Sequence, residues 1–164
     1  MKYKIVKLTK FSGNEATIYS IYIFDKKKTL FELFLEENKI SYKSELISIF
    51  NRLKVIGHET GARENFFKIH EGELGDGLSA LFDRPDKKLR LYCIKYGSLI
   101  LIAGGGGPKK SQTFQEDEKL KRENFFLRKV VKDIKNKMEF GDIEISKDGT
   151  EFLGNLEFTD DEKN

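Results

Sequence analysis

The chain has 164 residues, 38% of them apolar, with 30 Lys and Arg against 27 Asp and Glu for a formal net charge of +3. That length fits one compact domain with little room for a second, and so small a net charge argues for nucleic-acid binding only if the cations are gathered in one place. The single cysteine, Cys93, excludes an intramolecular disulfide and, with no signal peptide at the N-terminus, sets the expectation of a cytoplasmic protein, while no apolar run approaches the roughly 18 residues of a membrane span.

Tyr3 to Leu8 and Thr17 to Phe24 carry apolar residues at near-alternate positions around the turn-prone Ser12-Gly13-Asn14, which predicts an opening hairpin. Thr29 and Glu32 have capping-box spacing, so a short helix is expected through about Glu37. Leu46, Ile47, Ile49, Phe50 and Leu53 mark one face of a second helix over Tyr42 to Val55, with Gly57 as its stop. Ala62 to Ile69 reads as a further helical turn or two with Phe66 and Phe67 inward. Gly72, Gly75 and Gly77 form a loop before a strand at Leu78 to Phe82.

The next stretch is the most informative. Leu89 to Tyr96 alternates, Gly97-Ser98 turns, and Leu99 to Ala103 is apolar, a hairpin signature. Gly104 to Ser111 then reads as a glycine-rich connection, whose free N–H groups and terminal Lys109 and Lys110 suit a phosphate. It is not a nucleotide-binding loop, because Pro108 and Lys109 intervene where that loop needs Gly directly before Lys-Ser.

From Gln115 to Met138 the pattern is a long charged helix with Leu120, Phe125, Leu127, Val130, Val131 and Ile134 facing inward. Asp142 to Ile145 and Glu151 to Phe158 are short strands or extended tail around Lys147-Asp148-Gly149. Residues 1–158 read as the domain and 159–164 as an acidic, flexible tail. Arg-Glu-Asn-Phe-Phe occurs at Arg63 to Phe67 and again at Arg122 to Phe126, in unlike surroundings, so it is reuse of an amphipathic turn rather than a duplicated unit.

Between Arg84 and Lys110 the cations Arg84, Lys87, Lys88, Arg90, Lys95, Lys109 and Lys110 face one acid, Asp86. Within this stretch Leu89-Arg90-Leu91-Tyr92 and Lys109-Lys110-Ser111-Gln112-Thr113 resemble the RelE/ParE toxin superfamily, in particular its HigB-like, phage-derived branch. Members of that group are similar to a line reading Tyr-Arg-x-x-Tyr, an apolar strand, a small loop with Phe, and Lys-Lys-Ser/Thr-x-x-Thr before a helix. The chain departs from it in two places. Ala80-Leu81-Phe82-Asp83 stands where a Glu-Leu-Arg pattern is usual, with Arg84 displaced, and four glycines and a proline replace the Phe-containing loop.

The resemblance implies an α+β fold, an antiparallel sheet with helices packed mainly on one face. It also implies the toxin of a type II toxin–antitoxin system: a metal-independent endoribonuclease that cleaves mRNA at the ribosome, needs no cofactor, and is covered by a cognate antitoxin. In that role Arg90 stabilises the scissile phosphate, Tyr92 or Tyr96 stacks or transfers a proton, and Arg84, Lys95, Lys109 and Lys110 hold RNA. From the residues alone, Arg90, Tyr92 and Tyr96 share one strand face, which is either solvent-facing decoration or that cleft. Lys95 falls on the Cys93 side by strict alternation and joins the others only at a strand end or a bulge. Cys93 reads as a buried structural thiol, and His58 and His70 as surface residues, with Glu71 and Glu73 beside His70 as the one arrangement open to acid–base work. The alternative is a non-catalytic nucleic-acid- or protein-binding module on the same scaffold.

Overall fold

The computed structural model describes residues 1–68, 72, 76–81, 86–110 and 117–159. The opening hairpin forms as its alternation requires: β1 (Lys2–Lys7) pairs antiparallel with β2 (Thr17–Ile23), with Tyr3 opposite Ile23 and Ile5 opposite Ile21. A two-residue β3 (Lys28–Thr29) folds back on β2 and feeds α1 (Leu30–Asn38). Both halves of the Thr29/Glu32 capping box are present, at 3.0 Å and 2.7 Å.

The second helix, α2, spans Lys43–Val55, but Gly57 does not end it. The chain continues through a π-helical turn, Ile56–Thr60, and leaves it at Gly61, where φ is 75°. Gly57 is needed for closeness instead, since a Cβ there would fall on the Phe11 carbonyl oxygen. The helical turns expected after Ala62 reduce to one 3-10 turn, Glu64–Phe66, followed by β4 (Phe67–Lys68). The two copies of Arg-Glu-Asn-Phe-Phe thus adopt different structures, because the second lies wholly inside a long helix.

Strands β5 (Leu78–Leu81), β6 (Leu89–Tyr96) and β7 (Ile100–Pro108) complete the centre of the sheet, and the 22-residue α3 (Glu118–Glu139) follows. A small second sheet pairs β8 (Ile143–Ile145) with β9 (Phe152–Gly154). Finally β10 (Glu157–Thr159) returns to β1. The principal sheet is 8-stranded, ordered β10-β1-β2-β7-β6-β5-β4 with β3 on β2, and every pairing in it is antiparallel except β2 with β7. The mixed α+β class and the mostly antiparallel sheet agree with the sequence. Thr159, the first residue of the expected tail, is paired with Lys2; residues 160–164 lie outside the described residues.

The placement of helices on one face is corrected. Leu89, Leu91, Cys93, Leu101 and Ala103 pack with Phe31, Phe34, Leu46, Ile49 and Leu53 of α1 and α2. Tyr92, Ile94, Ile100 and Ile102 pack on the other side with Leu120, Leu127, Val130 and Ile134 of α3. A central strand that is apolar in both parities requires a layer on each face, and β6 is such a strand.

The glycine tract is corrected as well. Gly104 to Gly107 is not a loop; it is the buried second half of β7. A bulge lies here, because Leu91 opposes Gly106 while Cys93 opposes Ala103, and it turns both Gly104 and Gly105 towards α3. A Cβ on Gly104 would lie 2.6 Å from Leu127, and one on Gly105 would meet Glu123. Glycine therefore lets α3 lie directly on the strand.

Candidate nucleic-acid interface

The expected cleft does not assemble at the surface. Arg90 is 2% exposed and Tyr92 is fully enclosed, both on the face that α3 covers, with Arg90 opposite Gly107. The alternation that put them on one face is observed; the face is interior. Tyr96, near the turn, is half-buried and meets Phe152 edge-on at 5.2 Å. Burial first, and then the negative charge of Asp76, push its hydroxyl well above the ordinary tyrosine range, so it holds its proton.

Lys95 stays on the Cys93 side of β6, as alternation dictates. Its ammonium donates to the Gly97 carbonyl at 2.6 Å and lies near the Phe67 ring, and desolvation pulls its pKa down. Lys109 is at the opposite end of the hairpin, its N–H bonded to the Lys88 carbonyl at 2.7 Å. At about 3.3 Å per residue, Lys88 and Lys95 are separated by roughly 23 Å along the strand. Lys95 and the Lys109-Lys110 pair therefore do not form one patch. What gathers near Lys109 is a corner with exposed Lys88 and Lys110, where the Lys110 N–H is fixed by Asp117 at 3.1 Å and the Lys88 N–H by Glu45. Arg84 and His70, with Glu71 and Glu73, lie outside the described residues.

Cys93 is fully buried, which raises its thiol pKa, so it is not a nucleophile at neutral pH. His58 is exposed, 3.5 Å from the Lys10 carbonyl. Among the described residues no group of His, Cys, Asp and Glu is arranged to hold a metal ion, and no helix is long and apolar enough to cross a membrane.

Among the described residues, a longer basic surface lies on α3, one the sequence pattern contained but the hairpin motif overshadowed. On α3, Lys121, Arg122, Arg128, Lys129, Lys132 and Lys135 recur at helical spacing opposite the buried stripe of Leu120, Leu127, Val130 and Ile134. Phe125, expected inside, sits among them at 47% exposure. The Lys121 ammonium lies 5.9 Å and the Arg128 guanidinium 5.1 Å from its ring centre.

The mid-helix acids point to the flanks. Glu123 receives Lys119 at 2.8 Å, and Asp133 receives the Tyr3 hydroxyl at 2.5 Å and Lys129 at 2.8 Å. Arg128 is steadied by a 2.8 Å bond to Asn124, and Lys137 bonds the Asn155 and Glu157 carbonyls, tying the helix end to β10. Over 22 residues the helix extends about 33 Å, a length suited to several backbone phosphates. Comparison of the chain with family models, with curated proteins and with solved structures gave no match.

Proposed function

We propose that this chain is a cytoplasmic nucleic-acid-binding module whose phosphate-contacting surface is the outer face of α3. The observation that carries the reading is the sorting of charge on that helix, with cations and one aromatic ring outward and the mid-helix acids to the flanks. Such a face gains affinity by releasing counterions condensed on a polyanion, so binding weakens steeply with salt. Reversing two exposed cations, Lys132→Glu with Lys135→Glu, is expected to lower affinity for a labelled RNA at least about tenfold and to reduce the log–log salt slope by about 2. Fluorescence anisotropy over a salt series measures both. Unchanged affinity and slope in the folded double variant would remove α3 from the interface.

A second reading is favoured by Lys109-Lys110 at the end of β7: a RelE/ParE-like endoribonuclease acting on ribosome-bound mRNA and restrained by an antitoxin. It requires Arg90 and Tyr92 to reach RNA, hence a state in which α3 lifts from the glycine tract. Expression without a partner separates the two readings. New message ends and growth arrest, relieved by Arg90→Ala at equal soluble level, support the enzyme; normal growth with salt-sensitive RNA binding supports the module.

A further inference from the structure

We infer that the open face of the β10-β1-β2 edge is a second binding surface, one that stacks the unpaired bases of a single-stranded nucleic acid. Strand parity creates it. Tyr3 and Ile5 are committed to the core beneath α3, so Lys2, Lys4 and Val6 project from the other side of β1. Register sets Lys4 opposite Tyr22, and the bond from the Phe24 N–H to the Lys2 carbonyl sets Phe24 beside Lys2. The α1 layer reaches Ser20, whose hydroxyl accepts the Phe31 N–H, but none of Lys2, Lys4, Val6, Tyr22 and Phe24 is buried.

Two large aromatic rings thus lie side by side on a water-facing sheet, their centres 5.3 Å apart. Neither is in or packed against the two core clusters, whereas Tyr3 of β1 and Tyr19 of β2 are core residues. The Lys2 ammonium stands 4.7 Å above the Phe24 ring, and that of Lys4 is within 5.5 Å of both rings. Lysine stems lying over two half-buried rings make the same contact by shielding them. The turn that follows adds more charge: Lys26 and Lys27 are exposed, and Lys27 holds a φ of 56°, a left-handed conformation in which glycine would be less strained.

The acids beside the patch are already engaged, Glu157 with Lys2 at 3.7 Å and Glu36 with Lys28 at 2.8 Å; Asp25 is exposed. Charge complementarity selects an anionic occupant, and the paired rings select one with free π-faces. Bases in a duplex are stacked on each other and offer none, so the occupant is a single strand, its bases on Tyr22 and Phe24 and its phosphates on the lysines. This surface lies across the sheet from α3, so it stands or falls separately from the reading above.

The chain contains no Trp, so Phe24→Trp introduces a unique fluorophore at the platform. Titration with a single-stranded oligonucleotide of about 12 nucleotides is expected to quench its emission saturably, and an equal mass of duplex is expected not to. Tyr22→Ala with Phe24→Ala should weaken single-strand affinity about tenfold or more. Lys2→Glu with Lys4→Glu, both at the surface, provides the same test should the double alanine variant fail to fold. Absence of quenching together with unchanged single-strand affinity in the lysine variant overturns the platform, and quenching by duplex equal to that by single strand overturns base stacking. Quenching that survives Lys132→Glu with Lys135→Glu supports the platform even where the α3 reading has failed.

Discussion

Gly106→Ala is expected to lower the unfolding free energy by about 3 kcal/mol, the upper part of the range for overpacking a core. A Cβ at Gly106 would fall on the Arg90 carbonyl oxygen, which is strand backbone and cannot rotate away. Gly107→Ala is the contrast. Its Cβ would lie 3.3 Å from the Lys119 stem, a flexible side chain that can shift, so a loss below about 1 kcal/mol is expected. Urea midpoints for the two variants measure the difference, which is large beside a typical total stability of about 5–15 kcal/mol. If Gly106→Ala unfolds at the wild-type midpoint, Gly106 is not held against the β6 backbone, and the tract is the loop its composition implies.

That contrast marks where the sequence was misleading. Four consecutive glycines have low strand propensity and ordinarily read as a connection. Their role here is tertiary: Leu127 and Glu123 approach from α3, more than a dozen residues later in the chain, and no local pattern announces an approach of that kind. Elements whose signal is local were legible. The β1–β2 hairpin, the Thr29/Glu32 cap and the Leu89 to Ala103 hairpin core all follow from spacing that neighbouring residues satisfy among themselves.

The site was less legible for the same reason. Arg90, Tyr92 and Tyr96 alternate correctly, but a polar or aromatic strand face shows only that the residues share a side, and α3 decides whether that side meets water. Counting cations along the chain joined Lys95 to Lys109 although the hairpin holds them at opposite ends. The α3 face was readable, since its cations recur at helical period, yet Phe125 was assigned to the core because hydrophobicity was taken as burial. Tyr22 near the end of β2 and Phe24 just after it drew no separate reading, because near-alternate apolar spacing over Thr17 to Phe24 predicted only the hairpin.

Stability is expected to fall steeply at alkaline pH, and Cys93 and Tyr96 set the window. Burial is the leading cause at both, raising them above their ordinary values of 9.0 and 10.0; Asp76 adds to the effect at Tyr96, and a backbone N–H at Gly104 partly offsets it at Cys93. The folded chain therefore keeps two protons that the unfolded chain releases. Stability from these groups is complete below 9.0 and declines above it, first through the thiol and then, past 10.0, through both, at about 1.4 kcal/mol per pH unit for each group. Tyr19, also raised chiefly by burial, acts in the same sense. Lys95 and Lys137 are lowered by desolvation and act oppositely, but only below their ordinary value of 10.5. Urea midpoints of the wild type and of Cys93→Ala with Tyr96→Phe, followed from about pH 8 to about pH 11, isolate the contribution. The double variant is expected to start lower, because a sulfur is lost from the core, and then to decline far less above pH 10.0. Parallel curves for the two proteins would mean that both groups ionise as readily in the folded chain as in the unfolded one, and that the turn end of the β6–β7 hairpin is open to water.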